Sequence, residues 1–258
     1  MIRPGYFSTP LIFLMLLLTA ASLAGCGKKG PVRPLSQPVP SAAEEFVLQQ
    51  QGNQMLLSWT LPKHKEDGSP LTDLAGFRIY RGLYDAVDEC PTCVETSELW
   101  RVVDLEYLRD VQRVGDRFFL NDPDLITGQG YQYRIIPFNR WGQDGLPALS
   151  RQALGETPPA PVGVSAESRS GRLVVTWQSV TALPAGLEMV GYKVYRRRPG
   201  DTFPPAPRNL QPLPALSFED RDFEGGKTYL YAVRTVVRQG DRIIESALSE
   251  LAAVTSKF

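Results

Sequence analysis

Histidine is almost missing from these 258 residues. His64 is the single one, and it lies in the polar run Lys63-His64-Lys65-Glu66-Asp67, where a solvated side chain is expected. Cysteine is nearly as scarce, at three. Cys90, Cys93 and His64 together fall short of a four-ligand zinc site. An excess of charge is also lacking: 28 basic residues balance 28 acidic ones. A nucleic-acid partner calls for a basic surface, so none is expected. The chain has no glycine-rich phosphate loop and no nucleophile elbow. Long helical periodicity is absent too. These gaps argue against an enzyme, a metal site or a resident cofactor.

What is present begins with an apolar leader. Leu11 to Leu18 is unbroken and apolar, Arg3 precedes it, and Thr19 to Gly25 is small and mildly apolar. That is the order of an export signal. Fifteen residues separate Pro10 from Cys26, against about 20 needed to span a bilayer. Leu23-Ala24-Gly25-Cys26 closes the leader and resembles the lipobox of bacterial lipoproteins. The resemblance implies cleavage before Cys26 and a covalent diacylglycerol and N-acyl lipid on it, which together make a firm membrane anchor. Residues 1–25 are then signal peptide. Removing them takes away one arginine and no acid, a net of about −1.

Cys26-Gly27-Lys28-Lys29-Gly30-Pro31 resembles the CGxKGP start of a small Gram-negative outer-membrane lipoprotein family linked to lipopolysaccharide-transport maturation. The absence of Asp at position 27 agrees with the outer membrane. Residues 26–45 read as an acylated tether, extended by Pro31, Pro34, Pro38 and Pro40.

The remainder repeats itself. Leu56-Leu57-Ser58-Trp59 matches Val174-Val175-Thr176-Trp177, and Gly76-Phe77-Arg78-Ile79-Tyr80-Arg81 matches Gly191-Tyr192-Lys193-Val194-Tyr195-Arg196. Asp122 to Leu125 and Tyr131-Gln132-Tyr133 match Asp220 to Phe223 and Tyr229-Leu230-Tyr231. Ala148-Leu149-Ser150 matches Ala247-Leu248-Ser249. Each block alternates apolar and polar residues and is bounded by Gly, Pro or Asp, which predicts short strands in a β-sandwich.

Both copies are identified as resembling fibronectin type III domains, on the strand-B tryptophans Trp59 and Trp177, the G-[FY]-x-[IV]-Y-R strand, and Tyr131 and Tyr229 six residues after Leu125 and Phe223. The resemblance implies an all-β chain of two tandem sandwiches, residues 46–156 and 157–258. It also implies tyrosine corners at Tyr131 and Tyr229. The tryptophans are expected in the two cores. The short Pro-rich linker Glu156 to Pro161 predicts a semi-rigid pair of modules.

The copies differ between Gly82 and Phe118, where the first carries an insertion of about 17 residues. It holds Cys90-Pro91-Thr92-Cys93, expected as a disulfide in an oxidising compartment. A redox-active pair or a metal site is the alternative use of those thiols. It also holds Trp100, in a stretch expected as a strand or a short helix. Asp122 with Asp124, and Asp220 with Asp222, recur in both copies and read as turn residues. Candidate binding residues are Trp100, Trp141 at the expected F–G turn, and the run Arg196-Arg197-Arg198. These features together predict a non-catalytic binding or scaffolding lipoprotein of the cell envelope with a protein or polysaccharide partner. Assistance to lipopolysaccharide-transport assembly and thiol-redox work at Cys90 and Cys93 are the rival readings.

Overall fold

The computed structural model describes residues 37–84, 97–123 and 125–257. All fifteen named elements are strands. Cys26, Cys90 and Cys93 lie outside the described residues, as does Asp124.

The first module contains β1 (Glu44–Gln51), β2 (Gln54–Thr60), β3 (Leu74–Tyr84), β4 (Glu98–Asp104), β5 (Val111–Val114), β6 (Arg117–Asp122), β7 (Gly130–Asn139) and β8 (Ala148–Ala153). One layer runs β1-β2-β6-β5 and the other β4-β3-β7-β8. The second module contains β9 (Ser165–Arg169), β10 (Arg172–Thr176), β11 (Glu188–Arg197), β12 (Ser217–Asp220), β13 (Thr228–Gln239), β14 (Arg242–Glu245) and β15 (Ala252–Thr255). Its layers are β12-β10-β9 and a sheet in which β13 pairs with β11, β14 and β15. These are two tandem all-strand sandwiches, as expected from the repeat. The stretch around Trp100, left between strand and helix on sequence grounds, is the edge strand β4.

Alternation along each strand sends one residue in two to the core. Trp59 is fully buried. Its ring stacks on Phe118 (centroids 5.7 Å, planes 17° apart) and meets Phe77 edge-on at 5.6 Å. Trp177 is buried in the second core, edge-on to Tyr192 at 5.5 Å. Neither indole N–H has a hydrogen-bond partner among the described residues, so both rings act as apolar bulk. Tyr131 and Tyr229 are buried, and each hydroxyl accepts a backbone N–H five residues upstream, from Ile126 at 2.8 Å and Glu224 at 2.9 Å. Both tyrosine corners are therefore formed.

Asp122 and Asp220 do more than close a turn. Asp220 does accept the N–H of Asp222 at 3.1 Å, yet both carboxylates are buried. Asp122 accepts from the Tyr133 hydroxyl (2.8 Å) and pairs with Arg81 (2.9 Å). Asp220 accepts from the Tyr231 hydroxyl (2.8 Å) and pairs with Arg196 (2.8 Å) and Arg208 (3.3 Å). Each triad ties one layer of its sandwich to the other, because β6 and β12 lie in the sheets opposite β7 and β13. Burial first, and the neighbouring aspartate second, push the Tyr133 and Tyr231 hydroxyls well above the usual tyrosine range.

Pro38 to Phe258 form one compact unit. The modules within it share a sheet. The end of β1 runs parallel to β14, with Gln50 opposite Ile244 and Gln51 opposite Glu245. Eight strands thereby join into one layer spanning both modules. The reach comes from the length of β13, twelve residues, which carries β14 beyond its own sandwich. At the other end of β1, a bulge between Glu44 and Val47 places Glu45 at φ 48°, the local kink such an irregularity produces. The Pro-rich segment ahead of it is not wholly free: the Val39 and Pro40 carbonyls accept N–H bonds from Glu66 and Leu146 (both 2.9 Å).

Candidate functional site

The outer faces of the two β3/β7-type sheets begin from the same sequence block. In Gly76 to Arg81 and Gly191 to Arg196, the residue after the buried Ile79 or Val194 is a tyrosine on the opposite face of the sheet. Beside each tyrosine lie two cations.

In the second module this face is closed. Tyr195 is buried, and its hydroxyl donates to Glu245 Oε2 at 2.7 Å. Lys193 Nζ reaches Oε1 at 2.7 Å, and Arg234 Nε lies 3.8 Å from Oε2. The first module supplies the other donors: Gln49 Nε2 to Oε1 at 2.5 Å and Gln51 Nε2 to Oε2 at 3.1 Å. Glu245 is fully buried, and strand β14 delivers it. Its desolvation is offset by these four donors and the nearby guanidinium. Burial, then the adjacent glutamate, pushes the Tyr195 hydroxyl far above its ordinary range, while burial pulls Arg234 down from its usual one.

In the first module the same face is open. Register places Leu99, Tyr80, Arg134 and Leu149 side by side across β4, β3, β7 and β8. The two leucines at the ends of this row are 51% and 52% exposed. The neighbouring row holds Val102, Arg78 and Ile136. Arg134 lies over the Tyr80 ring at 4.7 Å, as Arg234 lies over Tyr195 at 5.5 Å. Arg78 sits 4.3 Å above the Phe138 ring and pairs with Asp144. Phe138 in turn lies on Gly76, where a Cβ would meet the ring at 2.7 Å. That glycine lets the ring lie flat against the sheet. Arg134 makes no ion pair among the described residues, and its Nε is buried without a hydrogen-bond partner.

The residues singled out from the sequence fall into separate places. Trp141 is 69% exposed at the β7–β8 turn, held by its N–H to Asn139 Oδ1 at 3.1 Å. It lies two residues beyond β7, at the end of the open face. Trp100 is half-buried on β4, edge-on to Tyr133 at 6.0 Å with Arg81 and Arg101 over its ring. It therefore supports the triad end of the sheet. Arg196, Arg197 and Arg198 line a groove of about 470 Å³. Arg196 is taken up by Asp220, Arg197 lies over Phe203 at 5.2 Å, and Arg198 pairs with Glu224. The insertion builds a second groove of about 400 Å³ from Arg101 to Val111, closed below by Leu120. Among the described residues, no group of three or more His, Cys, Asp or Glu side chains comes together.

Sequence reasoning missed Tyr80, Arg134 and Glu245. Tyr80 and Tyr195 stood in the matched blocks but were read only as strand markers. Glu245 lies in a segment with no counterpart in the matched blocks.

No family model matches the chain, and no curated protein matches it. Among solved structures it is similar to an Fn3-like protein from Clostridium thermocellum, at 21% identity and a TM-score of 0.32, over 40% of this chain and 97% of that one. It is also similar to the chicken CNTN1 FN1-FN3 domains, at 16% identity and a TM-score of 0.29, over 86% of this chain and 68% of that one.

Proposed function

We propose that this chain is a non-catalytic binding protein of the Gram-negative cell envelope. Acylation at Cys26 holds it to the outer membrane, and the two locked modules present the outer face of β4-β3-β7-β8 to an envelope partner. One observation carries the reading: the second module buries Tyr195 and Glu245 on its equivalent face, and the first leaves Leu99 and Leu149 exposed there, with Tyr80 and Arg134 half-buried between them. Apolar and arginine-rich exposed faces are where partners anchor. Fibronectin-type sandwiches serve many roles, so the site rather than the fold supports this reading.

Two measurements test it. A photo-crosslinking residue at Leu99 or Leu149 should capture one envelope component in intact cells, while the same residue at Leu210, exposed on the second module, should not. Equal capture from all three positions would remove the proposed surface. A clickable fatty acid should label the wild-type chain and not Cys26→Ser; equal labelling would remove the anchor.

A further inference from the structure

The first module has two unlike ends. At one, Gln50 and Gln51 pair with β14 of the second module, and the chain leaves through Gly155, whose N–H donates to Gln50 Oε1 at 3.0 Å. At the other lie the start of β1, the end of β2, the start of β3 and the end of β7. We infer that this far end is a membrane-facing pole, and that Trp141 is the side chain it inserts into the headgroup layer of the bilayer that holds the acyl anchor. This deepens the role proposed above, by fixing how the molecule stands on its membrane, and it rests on acylation at Cys26.

The tether joins the folded part at that pole. The Ser41 N–H donates to the His64 carbonyl at 3.0 Å, and the Val39 and Pro40 carbonyls accept from Glu66 and Leu146. Pro40 also bridges to Lys65. A Cβ on Gly145 would collide with the Pro40 carbonyl, so only glycine lets the β7–β8 turn close on the tether here. Pro38 follows Cys26 by twelve residues, a reach of about 40 Å at full extension. An acyl group on Cys26 therefore keeps this pole within about 40 Å of the bilayer surface, which raises the local concentration of its side chains there.

The turn that presents Trp141 is held in one shape. Asn139 is buried, and its Oδ1 accepts the N–H of Trp141 (3.1 Å) and of Gln143 (3.0 Å). Its Nδ2 donates to Gln143 Oε1 at 2.9 Å. Its backbone closes the same turn, with the Gln143 carbonyl and the Gly142 N–H. The indole so presented is exposed and makes no ring contact among the described residues. A side chain on a turn already ordered loses little freedom on docking. An apolar ring with one N–H donor suits the boundary between headgroups and acyl chains. Leu146 and Pro147, exposed on the tether side of the turn, add apolar surface. Arg140 and Lys63 are exposed cations with no ion pair among the described residues. Glu66 and Asp67 are exposed beside Lys63 with the opposite sign, so insertion of the ring, and not net charge, makes the contact. The corresponding turn of the second module, Gln239 to Arg242, has no aromatic residue.

The test uses the full acylated chain in vesicles of phosphatidylethanolamine and phosphatidylglycerol, with and without lipid brominated on its acyl chains, which quenches an indole on contact. Brominated lipid should quench the wild-type emission, and that quenching should be lost in Trp141→Phe, because Trp59 and Trp177 are buried and Trp100 is half-buried on β4. The quenching should persist at physiological salt, which screens exposed charges but not an inserted ring. Circular dichroism checks that Trp141→Phe keeps the strand spectrum. Absence of quenching in a wild-type chain that pellets with the vesicles, its loss on adding salt, or equal quenching in Trp141→Phe overturns the inference and leaves the anchor standing. If the wild type stays in the supernatant, the anchor and the pole fall together. If the wild type is unquenched while a photo-crosslinking residue at position 141 captures an envelope protein, the turn is a protein anchor and the inference falls.

Discussion

The two modules share a core plan and differ in what lies on one sheet. Each buries a tryptophan, forms a tyrosine corner and closes an Arg–Asp–Tyr triad. The second extends β13 and pairs β14 beside it, so that the sheet continues into β1 and Tyr195, Lys193 and Glu245 become interior. The first has β4 and β8 as the edges of that sheet, with Leu99 and Leu149 exposed on either side of the half-buried Tyr80 and Arg134. The duplicated residues therefore report how a sandwich is held together, and the unduplicated ones report what each copy touches. A face that one copy buries at the junction with its neighbour keeps exposed leucines in the other.

Substitutions can sharpen or break this contrast. The largest effects belong to the cores. Trp59→Ala removes a ring in contact with two others and should cost about 5 kcal/mol, while Trp177→Ala, with one ring partner, should cost about 3 kcal/mol by urea titration. Equal costs would show that the aromatic cluster of the first core adds nothing. Next comes the junction. Glu245→Ala leaves Lys193 and Arg234 without their buried partner and should cost about 3 kcal/mol. In calorimetry it should also split one unfolding transition into two, and a single intact transition would show that the shared strands couple the modules without it. The triads are weaker and unequal. Arg81→Ala strips Asp122 of its guanidinium and should cost about 2 kcal/mol, whereas Arg196→Ala leaves Arg208 on Asp220 and should cost about 1 kcal/mol. The smallest pair is the most telling. Tyr195→Phe should cost about 1.5 kcal/mol, and Tyr80→Phe should leave the melting midpoint where it was. A comparable loss at Tyr80 would mean that its hydroxyl is already engaged.

Much of the architecture was legible because sandwiches write themselves in period two. Trp59 and Trp177, the glycine-led strand of Gly76 and Gly191, and Tyr131 and Tyr229 placed both cores in order. The aspartates Asp122 and Asp220 were legible as repeated residues, but not as buried acceptors. Their arginine and tyrosine partners come from strands brought together only by folding, although all three stood in the matched blocks. The junction was the least legible part. Glu245 is held by Gln49 and Gln51 from the far end of the folded region, and no local pattern announces so distant a pairing. The arginine run read as one patch, yet alternation along β11 sends Arg196 to a buried aspartate and Arg197 to the other face, while Arg198, beyond the strand, pairs with Glu224.

Gln51 and Glu245 stand 194 residues apart, and synthesis makes the first long before the second. Closing so wide a loop carries an entropic cost that is offset only once β14 can pair. Until β14 exists, β1 exposes one edge of unpaired amides together with Gln49 and Gln51. A product cut short before Arg242 thus carries a strand edge open to aggregation. Cover for the first strand consequently waits until synthesis has passed Glu245.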